Sequence, residues 1–328
     1  MNWTPENLPD LSGKSYFITG GNSGIGLEAA KIFCSKGASV IISARNQTNA
    51  EEAMAEIKAE FPEAKVSWVS LDLTDPDSIA SASAKVIETT PELDALICNA
   101  GVMQTPELKT KEGFELQFAT NHLGHFRLTS ALYSHLVKSK GRVVVVSSVA
   151  HSSGKIDLED LMGRKKYAPM TAYCQSKLAN MMFAFELDKR LVKANSPVVC
   201  IPCHPGYSAT NLQTAGVSME GGSGFFKSIY KITNKYLAQS AKRGAYPEVL
   251  AAAGPDAKRG AYYGPTEWGG MTGPVGLSKV APQAQDEDMA RKLWEATEAL
   301  VGPLSIESPG VPTFSFSYRS SWLRVSFR

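Results

Sequence analysis

The alternation of short apolar runs with segments of helical periodicity is the feature that most constrains the fold of this chain. Strands of a parallel sheet that is covered on both faces have such near-continuous apolar sequences. The runs are Ser15–Thr19, Ser39–Ser43, Val66–Leu71, Ala95–Cys98, Val143–Val146 and Val198–Ile201. The helical segments cover residues 27–36, 49–60, 77–88, 113–139, 171–193 and 286–301. This order predicts an α/β fold: a single doubly wound, Rossmann-like parallel sheet with helices on both faces.

Composition and charge exclude several classes of protein. The chain has 328 residues, of which 43% are hydrophobic and 20% are charged, as expected for a globular protein with a large core. The formal net charge of +2 gives no reason to expect a nucleic-acid partner. The sequence shows neither a cationic leader nor a run of about 18 apolar residues, so we expect a cytoplasmic protein without an integral membrane segment.

The five cysteines form no metal-binding pattern. Cys200 and Cys203 have CxxC spacing but lie inside an apolar run, and no second pair or histidine pair at zinc spacing accompanies them. We therefore expect buried free thiols and no metal site.

A glycine-rich segment directly follows the first apolar run and precedes the first helical segment. Glycines in such a turn let the backbone approach a phosphate, and the helix N-terminus supplies amide donors and a positive dipole. The spacing is G-x3-G-x-G rather than the G-x-G-x-x-G of the older dinucleotide fingerprint. The predicted phosphate-binding residues are Gly20, Asn22, Ser23, Gly24, Ile25 and Gly26.

The end of the second apolar run indicates which nicotinamide cofactor is used. Enzymes that prefer NAD usually have a carboxylate here for the ribose 2′-hydroxyl. This chain has Ala44 followed by Arg45, and a guanidinium suits a 2′-phosphate. The sequence therefore predicts NADP(H), with an ordinary solvated surface arginine as the alternative.

A tyrosine and a lysine four residues apart form the candidate catalytic pair. Tyr173 and Lys177 lie within a helical segment, where such side chains share one face at about 5–6 Å between Cβ atoms. An ammonium at that distance lowers the pKa of a phenol from its usual value of about 10. The pair is therefore suited to proton transfer to a carbonyl near neutral pH.

The motifs taken together resemble the short-chain dehydrogenase/reductase family over about residues 8–302. They are Thr19–Gly26, Asn99–Gly101, Asn121, Ser147–Ser148, Tyr173-x3-Lys177 and Pro205–Gly206. Within that family, Leu11–Lys14, Ala172–Asn180 and His204–Gly206 are similar to the retinol dehydrogenase and protochlorophyllide reductase branch.

The resemblance implies roles for four catalytic residues. Tyr173 would donate a proton to the substrate carbonyl, or accept one in the reverse direction. Lys177 would hold the nicotinamide ribose and lower the pKa of Tyr173. Ser148 would contact the carbonyl oxygen, and Asn121 would hold a water linking the lysine to solvent. The resemblance also implies cofactor contacts by Tyr173, Lys177, Asp72, Leu73, Asn99, Ala100, Gly101, Pro205, Gly206 and Thr210.

We therefore expect an NADP(H)-dependent oxidoreductase that acts on a carbonyl or alcohol of a lipophilic small molecule. One alternative is light-dependent reduction of a double bond, as in protochlorophyllide reductases. Ser148 argues against it, and so does the scarcity of cysteines between Lys177 and Pro205, where only Cys200 and Cys203 occur. A second alternative is a non-catalytic NADP(H)-sensing protein, against which the intact proton-transfer set argues.

Two further segments have no family motif. Residues 207–240 are rich in glycine and aromatic residues and suggest a flexible substrate flap, with a surface helix and a glycine-rich connection as the alternative. Residues 303–328 follow Gly302 as an extension that we expect to be poorly ordered, with an edge strand or a contact with a partner or a membrane surface as alternatives. By resemblance to the family, the chain is expected to form a homo-oligomer.

Overall fold

The computed structural model describes residues 3–207 and 240–306, which form one sheet with helices on both faces. The predicted flap at 207–240 and the extension at 303–328 lie almost entirely outside the described residues. The domain boundaries at residues 8 and 302 stay a prediction.

A strand overlaps each of the six apolar runs, which confirms the predicted architecture. The eight strands within the described residues are ordered β3-β2-β1-β4-β5-β6-β7-β8, and only the β7–β8 pair is antiparallel. The strands are β1 Ser15–Ile18, β2 Ser39–Ala44, β3 Lys65–Ser70, β4 Ala95–Cys98, β5 Arg142–Val146, β6 Val199–Cys203, β7 Tyr263–Glu267 and β8 Thr272–Leu277.

The predicted helical segments match α-helices to within a few residues, but the sequence did not predict the helix at Ala241–Ala253, which contains Pro247. The α-helices are α1 Gly24–Ser35, α2 Gln47–Glu60, α3 Pro76–Thr89, α4 Leu116–Phe118, α5 Gly124–Ser139, α6 Pro169–Lys193, α7 Ala241–Ala253 and α8 Glu287–Val301. A π-helical turn at Ala119–Leu123 joins α4 to α5, and short 3-10 helices cover Pro5–Asn7, Val149–Ser153, Trp268–Gly270 and Pro282–Gln285.

Alternate residues of the central strand β1 belong to two different cores. Ile18 lies in the core between the sheet and α1, α2 and α7, whereas Phe17 lies in the core between the sheet and α3, α5 and α6. Both side chains are completely buried, and each contributes about 1.5–3 kcal/mol of hydrophobic stabilisation. Two-sided burial of this kind explains why the apolar runs are continuous rather than alternating.

Strand order creates a crevice beside β1. This strand pairs in parallel with β2 on one side and with β4 on the other, so the chain winds away from it in both directions. In open α/β sheets, ligands bind at such a switch point, outside the carboxyl ends of the strands. The glycine-rich turn after β1 and Asn99–Gly101 after β4 border this crevice.

The structure adds two strands that the sequence did not predict. In β7 and β8, Gly264 pairs with Gly276 and Tyr263 pairs with Leu277. Trp3 forms an isolated antiparallel bridge with Val275 of the edge strand β8.

Helix α8 packs on the outer surface of α6. The indole ring of Trp294 lies 4.9 Å from the ring of Phe126 and 5.9 Å from that of Phe183, between centroids. The guanidinium of Arg190 lies 4.4 Å from the centroid of the Trp294 ring, close enough for a cation–π contact. Helix α8 therefore covers part of the surface formed by α5 and α6.

None of the helices in the described ranges has the length and apolarity needed to cross a membrane.

Candidate active site

The backbone of the glycine-rich turn has a conformation and a close packing that a side chain would not fit. Gly20 and Gly24 have φ values of +65° and +56°, a region that L-residues rarely adopt. A Cβ added to Gly26 would lie 2.5 Å from Nδ2 of Asn99 and 2.8 Å from the carbonyl oxygen of Gly20. The absence of a side chain at Gly26 therefore allows α1 to begin directly against the end of β4.

The N-terminus of α1 faces the same turn. Ser23 is its N-cap residue, with extended backbone angles, but the Ser23 side chain makes no capping hydrogen bond. The first amide groups of an α-helix have no partner within the helix, and together with the helix dipole they attract anions. Asn22, Ser23, Gly24 and Ile25 are all half-buried, as expected for residues that border an open cradle.

A buried threonine holds the ends of β1 and β4 together. The hydroxyl oxygen of Thr19 accepts hydrogen bonds from the backbone N–H groups of Asn99 and Ala100, both at 2.9 Å. The side-chain amide of Asn99 donates to the carbonyl oxygen of Thr19 at 2.8 Å. These bonds fix the segment Asn99–Gly101 against the end of β1, from which the glycine-rich turn begins.

The ends of β2 and β3 place the residues predicted for the adenosine part of a dinucleotide. Arg45 directly follows β2 and is exposed, whereas Ala44 is buried. Asp72 follows β3, and its carboxylate accepts hydrogen bonds from the backbone N–H (2.9 Å) and hydroxyl (2.6 Å) of Thr74. Leu73 is buried, and a Cβ on Gly124 would collide with the carbonyl oxygen of Leu73. The backbone of Leu73 is thus packed tightly against the start of α5.

Tyr173 and Lys177 lie on the buried face of α6. Their side chains are 5% and 3% exposed, and Nζ of Lys177 lies 5.9 Å from the centroid of the Tyr173 ring. Nζ donates a hydrogen bond to the carbonyl oxygen of Val146, the last residue of β5, at 3.1 Å. Burial lowers the pKa of Lys177 to about 8, because an ammonium is less favourable away from water. The amine therefore lies near the carboxyl edge of the sheet and changes charge close to neutral pH.

The serine pair follows β5 directly. Ser147 is buried, and its hydroxyl donates to the carbonyl oxygen of Lys177 at 2.7 Å. Ser148 is half-buried and is the N-cap of the 3-10 helix Val149–Ser153, with its Oγ accepting from the N–H of Ala150 at 3.2 Å. Ser147 therefore fixes α6 to the sheet, and Ser148 is the serine with a partly accessible side chain.

Asn121 lies in the π-helical turn between α4 and α5, and it is completely buried. Its side-chain oxygen accepts from the N–H of Val102 at 2.8 Å, and its amide donates to the carbonyl oxygen of Val102 (3.0 Å) and to Oγ of Ser176 (2.9 Å). A Cβ added to Gly101 would lie 3.0 Å from Oδ1 of Asn121 and 3.6 Å from Nζ of Lys177. The structure thus brings Gly101, Asn121 and Lys177 into one cluster.

The segment after β6 is only partly described. Gly206 has a φ of +69°, and its N–H donates to Nδ1 of His204 at 3.2 Å, which orients the Pro205–Gly206 turn. Thr210, predicted to contact the nicotinamide, lies outside the described residues.

Sequence reasoning missed the role of His125. Its Nδ1 donates to the carbonyl oxygen of Asn121 at 3.0 Å, so Nε2 accepts from the hydroxyl of Thr19 at 2.9 Å. Burial lowers the pKa of His125 to about 4, which keeps the ring neutral. His125 therefore links Asn121 to the end of β1. The sequence offered no signal for this contact, since Thr19 and His125 are far apart along the chain.

Comparisons with known proteins agree with this arrangement of fold and site. The family model described as short chain dehydrogenase matches residues 14–221. Human retinol dehydrogenase 13 is 36% identical over 308 residues, covering 92% of this chain and 87% of its own length. Retinol dehydrogenase 12 of Mus musculus is 44% identical over 197 residues, covering 60% of this chain and 62% of its own. The chain belongs to the short-chain dehydrogenase family, whose members are oxidoreductases.

Within that family the chain falls in the retinol dehydrogenase branch, as the motifs predicted. Among solved structures, an uncharacterized protein from Mycobacterium paratuberculosis is 36% identical, covers 94% of this chain and all of its own, and superposes with a TM-score of 0.75. L-sorbose reductase from Gluconobacter frateurii, solved with NADPH and L-sorbose, is 21% identical with a TM-score of 0.59, covering 75% of this chain and 92% of its own. At that identity the second comparison shows the shared fold alone.

Proposed function

We propose that this protein is an NADP(H)-dependent oxidoreductase that interconverts a carbonyl and an alcohol on a lipophilic small molecule. The observation that carries the proposal is the buried pair Tyr173 and Lys177 at the carboxyl edge of the sheet, where Lys177 bonds the end of β5 and lies close to Gly101.

The residues around the crevice fit a dinucleotide. A Cβ on Gly26 or Gly101 would crowd Asn99 or Asn121, so glycine at both positions keeps the backbone of the crevice bare, and the N-terminal amides of α1 face the turn without a capping side chain. The pyrophosphate would lie at the N-terminus of α1, where amide donors and the helix dipole favour negative charge. Asp72, Leu73, and Asn99–Gly101 would border the adenosine, while Tyr173, Lys177 and the Pro205–Gly206 turn would border the nicotinamide ribose.

A bound nicotinamide would supply or accept the hydride. The chain's own contribution is to hold the substrate oxygen and move a proton. We infer that the Tyr173 hydroxyl donates that proton to a carbonyl oxygen, and that the Ser148 hydroxyl donates a hydrogen bond to the same oxygen. The ammonium of Lys177 favours the phenolate that Tyr173 would become. Our expectation that Asn121 holds a water near Lys177 stays a prediction.

The preference for NADP(H) rests on Arg45. It is exposed at the end of β2, next to a buried alanine in place of a carboxylate, and no ion pair within residues 3–207 and 240–306 involves it. Its guanidinium is therefore available for a 2′-phosphate.

Kinetics with both cofactors test this preference. We expect a higher kcat/KM with NADPH than with NADH, and we expect Arg45→Ala to lower the NADPH value by about tenfold, the scale of a charge-assisted hydrogen bond. The NADH value should be unchanged in that variant, and Arg243→Ala, an exposed arginine on α7, should alter neither value. Equal use of both cofactors by the unmodified protein would contradict the assignment.

A lipophilic substrate is supported by the relatives named retinol dehydrogenases and by apolar residues close to Tyr173. Met170 lies one helical turn before Tyr173 and is 48% exposed. A panel comprising a polyene aldehyde, a long-chain aliphatic aldehyde, a steroid ketone and a ketose tests this by NADPH absorbance. We expect turnover of the apolar compounds and little of the ketose. NADPH binding without any oxidation across the panel would overturn the enzymatic proposal.

The oligomeric state also stays a prediction. Because α8 covers part of the α5 and α6 surface, we propose that a homo-oligomer would associate through another surface. Light scattering after size-exclusion chromatography measures the mass directly. A cytoplasmic location is proposed on the sequence argument alone.

A further inference from the structure

His151 uses both nitrogens of its imidazole ring to join two separate segments. The backbone N–H of Ala281 donates to Nε2 at 3.2 Å, so this nitrogen carries no proton. Nδ1 is then the protonated nitrogen, and it donates to the carbonyl oxygen of Ser148 at 2.7 Å. The ring is only 2% exposed, and burial lowers its pKa, which favours this neutral tautomer.

The carbonyl oxygen of Ser148 accepts further hydrogen bonds. The backbone N–H of His151 donates to it at 3.1 Å, and the hydroxyl of Tyr262 lies 3.5 Å away. The rings of Tyr262 and His151 also pack edge to face, with centroids 5.4 Å apart and planes at 87°. Rotation of the Ser148 peptide group would break these bonds together.

The segment that contains Ala281 is also fixed to the segment that follows Ser148. The side-chain amide of Gln283 donates to the carbonyl oxygen of Ser152 at 2.6 Å, and lies 3.4 Å from that of His151. The 3-10 helix Pro282–Gln285 is therefore joined to the 3-10 helix Val149–Ser153, with the imidazole ring as the link nearest to Ser148. The backbone of Ser148 is held by a part of the chain more than a hundred residues away.

We propose that His151 is a positioning residue for Ser148: by bonding the serine carbonyl and the Ala281 amide, it fixes the direction in which the Ser148 hydroxyl points. This inference rests on the proposed function, because it assumes that Ser148 contacts the substrate oxygen. A displaced catalytic group about 1 Å from its productive position costs up to about a hundredfold in rate.

Three variants test the proposal. His151→Ala removes both bonds, whereas His151→Asn keeps an N–H donor at the position of Nδ1, because both groups are attached to Cγ. We expect His151→Ala to lower kcat by about 10- to 100-fold without changing the cofactor Kd, and His151→Asn to recover most of that loss. His135→Ala is the matched control: His135 is equally buried and bonds the carbonyl oxygen of Thr90, but it lies away from the site. It should leave kcat unchanged.

A double-mutant cycle with Ser148→Ala separates positioning from general stabilisation. Single-turnover rates are measured with enzyme in excess, so that low residual activity is quantified. If His151 acts through the serine hydroxyl, His151→Ala lowers the rate in the presence of Ser148 and has no further effect in Ser148→Ala.

The outcomes of the cycle distinguish the inference from the function. An equal loss in both backgrounds, unchanged kcat in His151→Ala, or no recovery in His151→Asn would overturn the positioning role while leaving the proposed function intact. Full activity of Ser148→Ala would remove the role of Ser148 itself, and the positioning role of His151 with it.

Discussion

Glu248 gives the sharpest prediction for stability, because its carboxyl group is buried and finds no hydrogen-bond partner in residues 3–207 and 240–306. It lies on α7 facing the sheet, is 1% exposed, and neither side-chain oxygen has a hydrogen-bond partner among the described residues. Burial alone raises its pKa from the usual 4.5 to about 8, because ionisation in an apolar environment is costly. At neutral pH the group is therefore protonated in the folded protein and ionised in the unfolded chain.

The pH dependence follows from this difference. The folded state binds one more proton than the unfolded state between pH 4.5 and about 8, so the free energy of unfolding falls as the pH rises through that window. The slope is about 1.4 kcal/mol per pH unit, and the full loss is about 5 kcal/mol. Below pH 4.5 the contribution is complete, and above about pH 8 no more is lost.

Glu248→Gln removes this ionisation while keeping the size of the side chain. The free energy of unfolding of Glu248→Gln, minus that of the unmodified protein, should increase with pH. Between pH 4.5 and pH 7 this difference should increase by about 3 kcal/mol. Urea unfolding at several values from pH 5 to pH 9 measures both proteins. Glu63→Gln, an exposed glutamate, is the control and should follow the unmodified curve. Parallel curves for Glu248→Gln and the unmodified protein would show that Glu248 does not change its protonation state on unfolding.

Three further predictions concern the site and its support. Gly26→Ala should weaken cofactor binding and lower the free energy of unfolding by about 1–3 kcal/mol, because the added Cβ would lie 2.5 Å from Nδ2 of Asn99. Calorimetric titration measures the binding and urea unfolding measures the stability, and unchanged values would contradict the packing described. The kcat/KM for carbonyl reduction should fall as the pH rises past about 8, where Lys177 loses its proton; a profile flat to pH 10 would show that its charge is not required. Trp294→Ala should cost about 3–5 kcal/mol of stability by opening the contact between α8 and α6, and a cost under about 1 kcal/mol would show that α8 is dispensable.

Most of the fold could be predicted because its signals are local. The six parallel strands are buried on both faces and therefore appear as continuous apolar runs, and the strongly periodic segments between them became helices. Strands β7 and β8 gave no such signal, since Gly264, Pro265, Gly273 and Pro274 interrupt any apolar pattern. Their pairing depends on contacts with β6 and with each other, which no short window of sequence contains.

In the candidate site, too, local contacts could be predicted from the sequence and contacts that depend on packing could not. Tyr173 and Lys177 were predictable as neighbours because four residues make about one helical turn. The bond between Lys177 and Val146, and the clustering of Gly101 with Asn121, follow only from the packing of α5 and α6 on the sheet. Two histidines show most clearly which contacts could not be predicted from the sequence. His125 and His151 act through backbone carbonyls of nearby residues, but their second partners lie about a hundred or more residues away.

The proposed function depends on transfer of a proton by the Tyr173 hydroxyl in a nicotinamide-dependent reaction. Its most direct test is the single-turnover rate of Tyr173→Phe, measured together with the Kd for NADPH. We expect a fall of about 10²-fold or more in rate, with little change in Kd because the ring and Lys177 remain. A rate close to that of the unmodified protein would contradict it.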